Sequence, residues 1–187
     1  QDYQRRDRLC QDLRKLVDEK SRISNQITSV LKEFYPKALE LFSFDSHIGI
    51  AFLKTFPDPQ ALESCKKKTF ESFFKKHHYN KPNRIEESWK LVQTPALNAD
   101  PVILRAGRFR LLVLLDQFVS MRDHLALYEK EVKAVLDKLP EAKSISSLPG
   151  VGERLAPELA AALGPTAPDS GSRFQSAEEI MKLSGCA

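Results

Sequence analysis

Two long stretches of this 187-residue chain repeat apolar residues at alternating steps of four and three, and this pattern constrains the fold most. The first stretch, about residues 2–35, contains neither glycine nor proline. Its seam, interrupted once by a lysine, consists of Leu9, Leu13, Leu16, Lys20, Ile23, Ile27, Val30 and Phe34. Such a heptad repeat predicts an α-helix that packs along one narrow stripe, and Pro36 predicts its end.

A second heptad seam follows Asp100 and Pro101, which form an N-cap residue and a proline suited to the first helical turn. This helix is predicted to run to about Leu139, just before Pro140. The seam consists of Leu104, Gly107, Leu111, Leu114, Phe118, Met121, Leu125, Tyr128, Val132, Val135 and Leu139. Residues 108–115 are apolar on more than one side, which predicts that more than one neighbour covers them.

Two helices of about 35 to 40 residues would each extend roughly 50 to 60 Å, and the simplest arrangement is an antiparallel pair. The seam is compatible with closure within one chain or between chains. The intervening region, about 36–95, shows no sustained alternation of period two, so we expect short helices there rather than a sheet. Ser46 is placed to cap a helix over 47–55, and Asn83 to cap another over 84–93.

Composition adds only broad limits. Lysine and arginine total 29 against 25 acidic residues, so the net charge of +4 permits a nucleic-acid partner without requiring one. Cys10, Cys65 and Cys186 are far apart, which argues against a disulfide framework or zinc site and fits a reducing compartment. The longest apolar run, 111–115, is far short of the roughly 20 residues of a membrane span, so we expect no membrane partner.

No residue set in the sequence predicts catalysis or metal binding. His77 and His78 are adjacent and so point in different directions on a helix, and Asp116 and Asp123 lack a third carboxylate. We therefore predict no catalytic residue, no metal site and no cofactor within this segment, and an independent enzyme is the least favoured interpretation.

The most specific local motif is a Pro-Gly-apolar-Gly turn between two predicted helices, 140–147 and 152–163. The turn consists of Pro149, Gly150, Val151 and Gly152. Its glycines permit a tight turn, and the following helix would offer free N–H groups to a backbone phosphate, as in a helix-hairpin-helix. Arg154 would add a charge-assisted contact, although Pro157 is unusual so near the start of a helix. The alternative is an ordinary tight turn.

A tract of basic residues in the middle of the chain is the second candidate site. It consists of Lys66, Lys67, Lys68, Lys75, Lys76, Lys81 and Arg84. Between these residues lie Phe70, Phe73, Phe74 and Tyr79. Basic and aromatic side chains together can hold single-stranded nucleic acid by charge attraction and base stacking. The alternative is a helix that buries its phenylalanines in a core and keeps its lysines in water.

Both ends of the chain resemble the insertion-sequence one-ten family of transposases, which includes the one-sixteen and nine-oh-two relatives. At the carboxyl end the matching residues are 146–152, Ala156, 173–177 and 184–187. Toward the amino end they are Leu13, Arg22, Asn25, Gln26, Leu31 and 34–42. The cap and the second long helix match in length and kind but carry few specific residues.

This resemblance implies a role in DNA transposition and DNA recombination. In the family, a RuvC-like domain with acidic metal ligands precedes the coiled-coil region, and a domain with a catalytic serine follows it. The acidic domain and its divalent metal would lie upstream of Gln1, and the serine downstream of Gly185, so no catalytic residue carries over. The chain also ends Gly185-Cys186-Ala187 where the family usually has Gly-Leu-x-Pro.

The predicted fold is all-α, with a long antiparallel coiled-coil helix pair, a small helical cap and a helix-hairpin-helix. Residues 1–139 would form the coiled-coil region, with its cap at about 36–95, and 140–187 the first part of the transposase domain. We expect a transposase segment that binds DNA or a structured guide RNA and forms a homo-oligomer through the coiled coil. The resemblance implies a bacterial or archaeal cytoplasm, at the nucleoid. The alternatives are a coiled-coil dimerisation scaffold without nucleic-acid binding, and a helix-hairpin-helix module of a DNA-repair protein.

Overall fold

The computed structural model describes residues 2–94 and 100–136, with side chains for 8–94 and 100–135, and the single positions Leu159, Ser176, Glu178 and Glu179. All regular structure in these ranges is helical, which confirms the all-α class. The predicted hairpin and the domain boundary after residue 139 lie outside the described residues, so both remain predictions.

Two long helices enclose five short ones along the described chain. They are α1 (Asp2–Phe34), α2 (Lys37–Leu41), α3 (His47–Thr55), α4 (Pro59–Glu63), α5 (Lys67–Lys76), α6 (Pro82–Val92) and α7 (Pro101–Leu136). The start of α7 and the end of α1 agree with the sequence prediction to within one residue. The short helices occupy the region predicted to be the cap.

The chain divides into two compact units, one formed by 1–19 with 122–187 and the other by 20–121. In the first unit, residues of both long helices form a small core: Cys10, Leu13, Leu125 and Val132. In the second unit, buried residues from α1, the short helices and α7 form one larger core. In each unit, therefore, seam residues of the two long helices pack together within a single chain.

Within the unit 20–121, contacts along α1 and α7 run in opposite directions. The Lys20 ammonium lies 5.7 Å from the centre of the Phe118 ring, a cation–π distance. Further along α1, the ring of Phe34 lies against Gly107. The predicted antiparallel pairing is confirmed, and the aromatic ring explains how a lysine is tolerated in the apolar seam.

The buried surface of α1 is wider than its heptad seam. Leu31, and Tyr35 just after the end of the helix, lie off the seam and are nevertheless fully buried, because residues of the short helices belong to the same core. On α7 the prediction of several neighbours is right for Leu115, which is buried. It is wrong for Phe109 and Val113, which are 74% and 42% exposed, because none of the described residues of the unit packs on that side.

Side-chain caps begin several of the helices. The Ser46 hydroxyl accepts a hydrogen bond from the Gly49 amide at 3.0 Å, as predicted. Asp100 accepts one from the Val102 amide at 2.7 Å, which confirms the predicted start of α7. The predicted Asn83 cap is wrong: α6 begins at Pro82 and has no side-chain cap bond. The fixed φ angle of proline already suits a first helical turn.

Candidate nucleic-acid interface

Helix α5 is held in place by its three phenylalanines. The Phe70 ring centre lies 5.2 Å from that of Trp89 on α6, and the Phe73 ring centre lies 5.9 Å from that of Phe52 on α3. Phe74 packs 4.9 Å from Phe70 on the same helix. All three phenylalanines are buried, so the orientation of α5 about its own axis is determined by this aromatic core.

The basic tract lies on the outside of this core. At 100° per residue, Lys68 and Lys75 fall on the side of α5 opposite the phenylalanines. Lys66 and Lys81 stand immediately before α5 and α6. All seven basic residues are exposed, including Arg84 in the first turns of α6. The whole tract therefore lies on the surface, on α5 and α6 or just before them.

Two of the seven positive charges have acidic partners. The Lys67 ammonium donates a hydrogen bond to Glu86 at 2.8 Å. This bond raises the pKa of Lys67 and lowers the pKa of Glu86, because each charge stabilises the other. Arg84 and Glu87 form a looser ion pair at 3.6 Å. Sequence reasoning missed the first pair because its members are 19 residues apart on different helices.

The other five basic residues have no ion-pair partner in the described part of the chain. They are Lys66, Lys68, Lys75, Lys76 and Lys81. Lys75 and Lys76 lie in the last turn of α5, where a positive charge also offsets the partial negative charge of the helix end. The group presents unneutralised positive charge that is able to contact phosphates, and such contacts carry no base information.

Of the two interpretations of the aromatic residues, the structure supports the buried core and not base stacking. Phe70, Phe73 and Phe74 are inside the core and cannot receive a nucleobase. Tyr79 is half-buried, with its ring packed against Phe42 and Phe74 at 6.2 and 5.5 Å between centres. The alternative weighed at the outset, phenylalanines in a core and lysines in water, describes this helix correctly.

The histidines at the end of α5 have structural contacts. The His77 ring lies 4.7 Å from Phe73 and 6.1 Å from His47 on α3, measured between centres. His78 has a φ of 54°, the left-handed conformation common just after a helix. Within the ranges described, no group of three or more histidine, cysteine or acidic side chains is arranged to hold a metal ion.

The hairpin candidates lie outside the described residues, so the site of Pro149, Gly150, Val151, Gly152 and Arg154 remains a prediction. Comparison of the chain with protein-family models, curated proteins and solved structures finds no match. No helix in the described ranges is both long and apolar enough to cross a membrane. The transposase interpretation therefore depends on the sequence motifs, and the geometry contributes the exposed lysines.

Proposed function

We propose that this chain is part of a DNA transposase that holds the phosphate backbone of DNA, or of a structured guide RNA. The observation that supports this most directly is the group of five exposed lysines without acidic partners in the described region, Lys66, Lys68, Lys75, Lys76 and Lys81. The family resemblance at the two ends of the chain supplies the transposition context.

The proposed contact is electrostatic. Each lysine that neutralises a phosphate releases counterions, so the logarithm of the binding constant falls by about 0.9 per contact for each tenfold rise in salt on duplex DNA. Because the aromatic residues are buried, we expect little preference for base sequence. A hairpin at Gly150 and Gly152, with Arg154 beside it, would add a second phosphate contact. The metal and catalytic serine would belong to other domains of the transposase.

The test is binding to a labelled DNA duplex and a labelled structured RNA over a series of salt concentrations. The informative variant is Lys68→Gln with Lys75→Gln, which removes two lysines on the outer side of α5. We expect weaker binding and a salt slope smaller by about 1.8 on duplex DNA, the value for two lost phosphate contacts.

The matched control is Lys32→Gln with Lys130→Gln, which removes the same charge from exposed positions on α1 and α7. This control should leave both affinity and salt slope nearly unchanged. An equal loss in both double variants would mean that net charge alone attracts the nucleic acid. Absence of salt-dependent binding by the unaltered, folded chain would reject the proposal.

A coiled-coil scaffold is the second candidate, because seam residues of α1 and α7 pack together within the chain in both units. This function would give a stable helical protein with no nucleic-acid binding to lose. Self-association through the coiled coil remains a prediction, and a homo-oligomer would need a surface beyond the seam already buried. Sedimentation equilibrium gives the oligomeric state in the same buffers.

A further inference from the structure

Helix α7 carries a second apolar stripe, on the side opposite its buried seam. We call it the outer seam; it consists of Val102, Ala106, Phe109 and Val113. Its steps of four, three and four residues are heptad steps. Val102 is 76% exposed and Phe109 is 74% exposed, so no described residue of the unit 20–121 covers the stripe. Three residues of the stripe, Val102, Ala106 and Phe109, line a shallow depression together with Pro101, Arg105, Arg108 and Leu112.

Exposed apolar side chains at these intervals are typical of a helix that pairs with another helix. Single exposed apolar residues need no explanation, but a contiguous group on one face usually marks an interaction site. The outer seam spans 11 residue steps, about 16 Å of helix. This length matches the apolar side of a short amphipathic helix.

The edges of the outer seam are basic. Residues 101–115 contain Arg105, Arg108 and Arg110 and no acidic residue. In the heptad, Arg105 and Arg110 flank the apolar positions on opposite sides, where charges select the partner of a coiled coil. Arg108 pairs with Asp58 at 3.2 Å, whereas Arg105 and Arg110 have no acidic partner in the described ranges.

We propose that the outer seam binds an acidic amphipathic helix of a partner protein. Apolar residues of that helix would pack on Val102, Phe109 and Val113, and its flanking glutamates or aspartates would face Arg105 and Arg110. The match of charge at the edges selects the partner, and burial of the exposed apolar side chains supplies most of the affinity.

Charge argues against a second copy of this chain as the occupant. A parallel pair of α7 helices would place Arg105 of one copy near Arg110 of the other, where like charges repel. An antiparallel pair meets the same difficulty, since residues 101–115 offer no carboxylate. Nucleic acid fits less well, because the aliphatic Val102 and Val113 would gain little from phosphates or bases.

The probe is a designed helical peptide with leucines at heptad spacing and glutamates on both flanks. A matched peptide carries lysines in place of the glutamates. Fluorescence anisotropy of each labelled peptide with the full chain gives the two affinities at low and high salt. We expect the acidic peptide to bind at least about tenfold more tightly, and this preference to shrink as salt screens the flanking charges.

Two variants locate the binding surface. Phe109→Ser should weaken binding of the acidic peptide by about tenfold or more, because the central apolar contact is lost. Arg105→Glu with Arg110→Glu should reverse the preference toward the lysine peptide. The matched controls are Leu127→Ser, at a residue 62% exposed elsewhere on α7, and Lys32→Glu with Lys130→Glu, which changes the charge equally at exposed positions. Both controls should bind like the unaltered chain.

Three results would overturn the proposal. The first is equal or no binding of the two peptides to a chain whose helical content is intact by circular dichroism. The second is a dimer in sedimentation equilibrium that Phe109→Ser converts to monomers, since a second copy would then occupy the outer seam. The third is binding of single-stranded DNA that Phe109→Ser abolishes while peptide binding is absent.

Discussion

The ring of Phe34 lies so close to Gly107 that a β-carbon at position 107 would come within 2.6 Å of the ring. Phe34 is the last residue of α1, and Gly107 lies in the second turn of α7. A glycine inside a helix is less favourable than alanine by about 1 kcal/mol, so α7 carries this cost in exchange for close helix packing.

Gly107→Ala is therefore expected to destabilise the fold despite the better helix propensity of alanine. Overpacking of a dense contact costs about 1 to 3 kcal/mol, which outweighs the gain of about 1 kcal/mol. Chemical denaturation measures the difference in the free energy of unfolding. Adding Phe34→Leu should recover part of the loss, because the leucine side chain leaves room for the methyl group. If Gly107→Ala alone were more stable than the unaltered chain, the close contact between Phe34 and Gly107 would be contradicted.

Asp58 combines two roles at the start of α4. Its carboxylate accepts a hydrogen bond from the Ala61 amide at 2.7 Å and pairs with Arg108 at 3.2 Å. We expect Asp58→Ala to lower the free energy of unfolding by about 1 to 2 kcal/mol, chiefly through the lost cap. Asp58→Asn should lower the free energy of unfolding by less, because asparagine can still cap the helix. The ion pair that it loses involves a half-exposed arginine, and such a pair contributes about 0 to 1 kcal/mol. Equal losses in urea titrations of the two variants would show that the charge, not the cap, matters.

The buried hydroxyl of Tyr35 has no hydrogen-bond partner in the part of the chain described. An unpaired buried polar group costs about 1 to 3 kcal/mol. Tyr35→Phe is expected to preserve the packing and to raise the free energy of unfolding at neutral pH. A destabilised Tyr35→Phe variant in thermal unfolding would mean that the hydroxyl has a partner outside the described residues.

The same residue predicts a loss of stability in alkali. Burial, and then the charges of Asp58 and Glu63, raise the pKa of Tyr35 well above its ordinary value. The unfolded chain releases this proton near pH 10, while the folded chain keeps it. The contribution of Tyr35 to the free energy of unfolding is therefore complete below pH 10, and above pH 10 it falls by up to about 1.4 kcal/mol per pH unit. In unfolding measurements across pH 9 to 11, Tyr35→Phe should lose stability less steeply. An equal loss of stability with pH in the unaltered chain and in Tyr35→Phe would show that Tyr35 is not its cause.

Glu86→Gln should strengthen nucleic-acid binding, if the basic tract is the contact surface. The change removes the carboxylate that holds Lys67 at 2.8 Å and so releases a sixth lysine for phosphate contact. The salt slope on duplex DNA should grow by about 0.9. Glu131→Gln removes the same charge from an exposed position on α7 and serves as the control. Equal gains in both variants would point to net charge rather than to Lys67.

Local signals in the sequence predicted the end of α1, the bounds of α3 and the start of α7. The caps at Ser46 and Asp100 form as expected, because a cap bond joins residues two or three positions apart. The error at Asn83 is also local: Pro82 was available to begin the helix one residue earlier. The candidate lysines were visible in the sequence as a basic tract. The sequence did not show whether the neighbouring phenylalanines are exposed as well, because that depends on which side of α5 is buried.

By itself, the sequence determined the two long helices, their buried seams and the all-α class, because heptad spacing and helix caps act within a few residues along the chain. Only the tertiary structure decided that seam residues pack within one chain, that Lys67 is neutralised by Glu86, and that Phe109 is exposed. These outcomes depend on which helices become neighbours. Periodicity defines the apolar sides of a helix, and packing decides which of those sides are covered.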